Sequence, residues 1–165
     1  MELHIKPVSK NDAQEFILWR YEPPYDVYNI INDPTNSDKI REHIHYFVDP
    51  TINCHVITDT NGDLLGFVTF GTDGQVPGGN YNAEALDIGM GIRPDLTGQG
   101  QGHAFITAAI NFAVKTYEPT MLRTTVATFN TRAQRLCLRA GFTIVDEFVA
   151  TTWTKKPFYI LTKTV

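Results

Sequence analysis

Three glycines at alternate positions, Gly98, Gly100 and Gly102, separate a predicted strand from a predicted helix. Because glycine has no Cβ, the backbone there can turn tightly and bring several N–H groups close to one anion. The start of the helix adds N–H groups without intrahelical partners and the positive end of the helix dipole. The turn therefore predicts a phosphate or pyrophosphate site, with a simple reversal of the chain as the alternative.

The hydrophobic pattern around this turn predicts a mixed α/β sheet flanked by helices. Capping signals, an Asn-Gly hairpin turn at residues 61–62 and changes of period give the element order β-α-α-β-β-β-α-β-α-β-β. The predicted helices cover about residues 9–19, 36–48, 102–117 and 131–140. The predicted strands cover about residues 3–8, 55–58, 64–70, 86–93, 121–127, 142–151 and 158–165.

Composition narrows the class of protein. The 165 residues are 42% hydrophobic and 19% charged, with a net charge of −4, which is typical of one folded domain spanning residues 1–165. The acidic balance argues against a nucleic-acid partner, because phosphates are neutralised by a surplus of Lys and Arg. We expect no membrane partner, because no apolar run approaches about 20 residues and no signal-peptide pattern is present. Two distant cysteines favour a cytoplasmic location. The histidines show no metal-ligand spacing. The sequence leaves open whether the protein forms a homodimer.

The glycine spacing distinguishes three phosphate-binding patterns. A P-loop requires Lys and Ser or Thr after its last glycine, whereas here Gly102 is followed by His103. The dinucleotide fingerprint requires G-x-G-x-x-G, which this turn matches poorly. The segment Thr97-Gly98-Gln99-Gly100-Gln101-Gly102 resembles the acyl-CoA motif Q/R-x-x-G-x-G/A of the GNAT superfamily of N-acetyltransferases. Thr97 departs from the Gln or Arg of that motif.

A second segment carries the same resemblance. Family members often have Asn-x-x-Ala-x-x-Leu-Tyr and then Gly-Phe, and this chain has Asn130, Ala133, Leu136 and Cys137, then Gly141-Phe142. The resemblance extends to the ribosomal-protein-alanine and small-amine acetyltransferases within the superfamily. It implies a GNAT-type, mostly antiparallel twisted sheet and acetyl-CoA as cosubstrate, without a metal. The cofactor-binding residues that it implies are Met90, Gly91, Ile92, Thr97, Gly98, Gln99, Gly100, Gln101, Gly102, His103 and Asn130.

The strand before the turn has a face that carries Asp87, Gly89, Gly91 and Arg93, since side chains alternate. Two glycines on one face leave a bare backbone surface for an extended ligand, or allow a neighbouring element to pack closely. The resemblance implies that pantetheine pairs with the backbone near Met90 to Ile92, and that an N–H near Ile92 polarises the thioester.

Three residues are candidates for proton transfer. Asp87 and Glu84, at the start of the same strand, are candidate bases, with Asp87 preferred and a solvated charge as the alternative for both. Cys137 stands where the family has its general acid Tyr. The thiol is a candidate acid, but it also belongs to an apolar helix stripe with Ala133 and Leu136, which favours a buried core residue.

The region after the first helix contains Trp19, Tyr21, Tyr25 and Tyr28 with interspersed Glu22 and Asp26. Such a region suits a cationic amine, or equally a hydrophobic cluster that holds a long loop. Together these features predict transfer of an acetyl group from acetyl-CoA to a primary amine on a small molecule, peptide or protein. The resemblance implies direct attack in a ternary complex. The alternative is a non-catalytic acyl-CoA sensor or interaction module with the same fold.

Overall fold

A computed structural model describes residues 2–165, and the order of its elements is the predicted one. Short 3-10 turns connect several of these elements. The helices are α1 Lys10–Ile17, α2 Ser37–Val48, α3 Gly102–Tyr117 and α4 Thr131–Arg139. The strands are β1 His4–Pro7, β2 Cys54–Thr58, β3 Leu64–Phe70, β4 Leu86–Ile92, β5 Met121–Ala127, β6 Thr143–Val149 and β7 Pro157–Thr164.

Local sequence signals set several element ends. Ser9 begins α1 with a capping box, in which its hydroxyl accepts the Asp12 N–H and the Asp12 carboxylate accepts the Ser9 N–H. Asn36 caps α2 by accepting the Lys39 N–H. Helix α1 ends at Ile17, two residues before the predicted end, because the next N–H bonds to the carbonyl of Glu15 in a tighter turn.

The seven strands form one sheet in the order β1-β2-β3-β4-β5-β7-β6. Every neighbouring pair is antiparallel except β4 and β5, which run parallel. The predicted fold class, a mostly antiparallel mixed sheet flanked by helices, is confirmed.

Two hydrophobic clusters cover the two faces of the sheet. On one face, Phe105 and Ile106 of α3 pack with Val68 of β3. On the other, Phe16 of α1 packs with Val56 of β2. The clusters fix α1 and α2 on one side of the sheet and α3 and α4 on the other.

Within residues 2–165, every helix is too short or too polar to cross a lipid bilayer.

Candidate active site

The site begins where β4 separates from β5. The two parallel strands are in register only at Leu86 with Leu122 and at Asp87 with Arg123. Just beyond, the Thr124 hydroxyl donates a hydrogen bond to the Ile88 carbonyl at 3.0 Å. From that point the strands part, and a cavity of about 530 Å³ extends from the glycine turn to the aromatic residues after α1.

Backbone groups of β4 face this gap. The Arg93 N–H donates to the Leu65 carbonyl at 2.9 Å, so alternate residues of β4 bond to β3. By that alternation the N–H groups of Met90 and Ile92 point away from β3, towards the gap. The Tyr21 hydroxyl reaches the Ile92 carbonyl at 2.7 Å, which places that carbonyl on the gap side as well. An extended ligand in the gap would find strand-like pairing groups.

The glycine turn lies at one end of the cavity and depends on glycine geometry. Gly98 and Gly100 have φ of +71° and +76°, which side chains rarely tolerate. A Cβ at Gly98 would lie 2.8 Å from a guanidinium nitrogen of Arg132, and one at Gly102 would lie 3.0 Å from Leu136. The turn therefore keeps its backbone open at the N-terminus of α3.

The same turn carries buried polar atoms without a partner among the described residues, namely Oε1 of Gln101 and Nδ1 of His103. Among the described residues no side chain caps α3, so the N–H groups at its start are free to donate to a ligand. Thr97 lines the cavity, but its hydroxyl donates to the Pro94 carbonyl within its own loop. Gln99 and Gln101 lie outside the cavity lining, which leaves a backbone role for them.

Three arginines of α4, Arg132, Arg135 and Arg139, line the cavity beside the turn. The Arg132 guanidinium lies 4.0 Å from the centre of the Tyr25 ring, which holds it over the cavity. Open N–H groups, a helix N-terminus and three cations form a donor set that fits the phosphates of CoA.

Asn130, at the start of α4, links two sides of the site. Its side-chain oxygen accepts the Ala133 N–H at 3.0 Å, which is the predicted N-cap. Its amide nitrogen donates to the Tyr28 hydroxyl at 3.1 Å, and Tyr28 lines the cavity. Burial is the main cause that raises the pKa of Tyr28, so the phenol stays protonated at neutral pH.

Cys137 lines the cavity and is also a buried member of the core. Burial raises the pKa of its thiol to about 12. Burial that holds the thiol in its neutral form makes Cys137 a poor proton donor to a CoA thiolate. The environment favours the interpretation of Cys137 as a core residue.

The contacts of Asp87 favour a structural role over the expected role of a base. Its side chain is 3% exposed, and its two oxygens accept bonds from Nε and Nη2 of Arg123 at 2.7 and 2.8 Å. A third bond comes from the Gln75 amide at 2.9 Å. A carboxylate enclosed in this way is a structural ion pair and lies outside the cavity lining. Glu84 also lies outside the lining, exposed in the loop before β4.

The glycines of β4 combine the two expected roles. Gly89 and Gly91 line the cavity. A Cβ at Gly91 would collide with the Phe67 ring, and one at Gly89 would lie 2.7 Å from the Thr69 hydroxyl. The bare face is therefore filled by side chains of β3. Sequence reasoning missed Phe67 and Thr124 because their roles depend on strand pairing, which no local signal announces.

Comparisons with known proteins agree with this geometry. The acetyltransferase (GNAT) domain family matches residues 2–143, so the chain belongs to that family and the resemblance is confirmed. A search of curated proteins found no match.

Solved structures share the fold. A chimera of the spermidine N-acetyltransferase SpeG from Vibrio cholerae with hSSAT superimposes with a TM-score of 0.76 at 17% identity, covering 99% of this chain and 96% of that one. The Vibrio cholerae spermidine N-acetyltransferase in complex with CoA and spermine gives 0.73 at 17% identity, covering 98% and 95%. A GNAT-family acetyltransferase from Bacillus anthracis gives 0.72 at 14% identity, covering 99% and 95%.

Proposed function

We propose that this protein is an N-acetyltransferase that transfers the acetyl group of acetyl-CoA directly to a primary amine in a ternary complex. The observation that carries the proposal is the parting of β4 and β5 after Asp87 and Arg123, which opens one cavity between the glycine turn and the aromatic residues after α1. One end suits phosphates and the other an acceptor. Residues 1–165 act as one domain, and two buried free cysteines accord with a cytoplasmic location.

The glycine turn and α4 bind the cosubstrate. Backbone N–H groups around Gly98, Gly100 and Gly102, with the arginines of α4, hold the phosphates, and His103 Nδ1 supplies a further polar contact. The N–H and carbonyl groups of Met90 pair with the pantetheine amides along β4, which leaves the Ile92 N–H for the thioester. When bound, acetyl-CoA supplies an activated thioester carbonyl for attack by an amine.

The chemical step places charge on two atoms that the chain must stabilise. The amine nitrogen bonds to the carbonyl carbon while the carbon–sulfur bond breaks, so charge develops on the carbonyl oxygen and then on the sulfur. The Ile92 N–H donates to the oxygen, in an oxyanion-hole role. The Tyr28 hydroxyl, oriented by Asn130, donates to the leaving sulfur in place of the family's Tyr.

The acceptor amine loses its proton through water in this scheme. None of the described residues that line the cavity is Asp or Glu. A neutral amine is required for attack, so the fraction of deprotonated amine in solution controls the rate.

The proposal is tested by mixing the purified protein with acetyl-CoA and a panel of primary amines, and by measuring thiol release and acetylated product. The panel includes polyamines, because spermidine N-acetyltransferases from Vibrio cholerae share the fold, together with arylalkylamines, lysine and short peptides. We expect amine-dependent thiol release with a matching acetylated product. Absence of turnover across the panel would contradict the proposal.

A second candidate function is a non-catalytic acyl-CoA sensor or interaction module. It is favoured by Cys137, which stands at the position of the family's general acid and whose raised pKa makes it a poor proton donor. Saturable binding of acetyl-CoA without turnover of any amine would support this alternative.

A further inference from the structure

The acceptor end of the cavity is apolar and aromatic. Its wall includes Phe16, Trp19, Ile30 and Phe67. The rings of Phe16 and Phe67 stack with centroids 4.3 Å apart, and Trp19 lies 6.2 Å from each of them. Phe16 of α1 is buried in the core, and Trp19, Ile30 and Phe67 pack against the same hydrophobic cluster. A wall of this kind gains free energy by removing an apolar group from water.

The cavity offers no anionic partner to an acceptor with several ammonium groups. Among the described residues that line it, the ionic side chains are Arg132, Arg135 and Arg139, which lie beside the glycine turn, and none is a carboxylate. Glu22 and Asp26, which the sequence placed among the aromatic residues, are exposed and lie outside the lining. A second ammonium group at the acceptor end would therefore be desolvated without an anionic side chain beside it.

The polar groups at this end already have partners. The Tyr21 hydroxyl donates to the Ile92 carbonyl, and the Tyr28 hydroxyl accepts from Asn130. The Tyr25 ring already faces the Arg132 guanidinium. The wall therefore offers few free polar groups that could bind a second charged group of the acceptor, away from the reacting nitrogen.

We infer that the acceptor is a small monoamine that carries an aromatic or similarly bulky apolar group, and not a polyamine. This inference rests on the proposed acetyl transfer and names its substrate class. The amine nitrogen lies at the gap beside Ile92, and the apolar group lies against Trp19 and Phe67. The same wall rejects lysine-like acceptors, whose second charged groups would face the apolar surface.

The direct test compares kcat/KM of the wild-type enzyme for 2-phenylethylamine and tryptamine with kcat/KM for spermidine, spermine and a lysine-containing peptide. Burial of one aromatic group predicts a preference of at least about tenfold for the arylalkylamines. A higher kcat/KM for a polyamine or for the peptide would overturn the inference and leave the proposed acetyl transfer standing. Acetyl-CoA binding without turnover of any amine would overturn both.

The two tryptophans of the chain provide a matched pair of variants. Trp19 lines the cavity, whereas Trp153 is 61% exposed in the turn between β6 and β7. We expect Trp19→Ala to lower kcat/KM for tryptamine by at least about tenfold, and Trp153→Ala to leave it unchanged. Equal effects of the two variants would overturn the placement.

A binding measurement keeps the test independent of turnover and of the stability of Trp19→Ala. In Trp153→Phe, Trp19 is the only tryptophan left, so intrinsic fluorescence reports on the acceptor end. With CoA present, 2-phenylethylamine should change this emission saturably at concentrations where spermidine does not. A saturable change with spermidine alone would overturn the inference.

Discussion

Asp87 and Arg123 form a two-bond ion pair, at 2.7 and 2.8 Å, in the last registered position between β4 and β5. The side chains of Arg123 and Asp87 are 4% and 3% exposed. The hydrogen bonds that Arg123 donates to Asp87 also raise the pKa of the arginine above its ordinary value. The pair fastens the two strands at the point from which they part, so the cavity depends on it structurally.

Asp87→Asn should therefore lower stability and not remove a base. Loss of one partner leaves Arg123 buried without its counter-charge, and we expect the free energy of unfolding in urea to fall by about 3–5 kcal/mol. Under conditions where Asp87→Asn is folded, its pH profile of kcat/KM should keep the wild-type shape. The matched control is Asp38→Asn, which removes an exposed ion pair with Arg41 and should leave stability almost unchanged. If Asp87→Asn were as stable as the wild type and its pH profile of kcat/KM lacked the acidic limb, the result would support Asp87 as the base.

Tyr21→Phe should loosen the acceptor end of the cavity. The lost hydrogen bond ties the loop after α1 to the Ile92 carbonyl and contributes about 1 kcal/mol net. We expect KM for the amine to rise about three- to tenfold, while the Kd of acetyl-CoA in calorimetry stays near the wild-type value. Tyr46→Phe removes a hydroxyl that donates to Asp73 outside the cavity and is the control. A larger change in the Kd than in KM would place Tyr21 at the cosubstrate instead.

Tyr28→Phe should lower kcat by at least about tenfold, because the hydroxyl beside Asn130 is the proposed donor to the leaving sulfur. KM for acetyl-CoA should change little, since the ring remains in place. Cys137→Ala should keep kcat within about twofold of wild type. The reverse result, with kcat lost in Cys137→Ala and kept in Tyr28→Phe, would make the thiol the proton donor.

Cys137 also predicts how stability depends on pH. Its pKa is raised by burial from 9.0 to about 12, so the folded state favours the protonated thiol. This contribution is fully present below about pH 9 and is lost as the pH rises towards 12, because the unfolded chain then binds fewer protons. Urea titrations above about pH 9 should show a shallower decline for Cys137→Ala than for wild type. Cys54, whose pKa burial also raises to about 12, keeps part of the decline. If the free energy of unfolding fell equally steeply with pH in Cys137→Ala and in the wild type, the Cys137 thiol would be accessible to solvent in the folded state.

Local signals carried the prediction of the fold. The capping box at Ser9, the glycines of the turn and the change of period in each segment act within a few residues, so they can be read along the chain. They were sufficient for the element order and for the position of the glycine turn before α3.

The rest of the site depends on contacts between distant residues. Asp87 looks like a free carboxylate until β5 brings Arg123 beside it, 36 positions later. Tyr28 meets Asn130 across 102 positions, so no spacing in the sequence predicts a hydroxyl at the start of α4. The charge of the acceptor end could not be predicted either, because only the folded loop shows that Glu22 and Asp26 lie outside the cavity lining.

The central claim is that the glycine turn and the gap beside β4 bind acetyl-CoA, and calorimetric titration of two matched variants tests it most directly. Gly100 and Gly62 have φ of +76° and +84°, and both would have open space around an added Cβ, so Gly→Glu brings similar strain at either position. Only Gly100 lines the cavity, where the new carboxylate would repel the phosphates. We predict that Gly62→Glu keeps the wild-type Kd for acetyl-CoA and that Gly100→Glu weakens binding at least about a hundredfold. A wild-type Kd in Gly100→Glu would contradict the account.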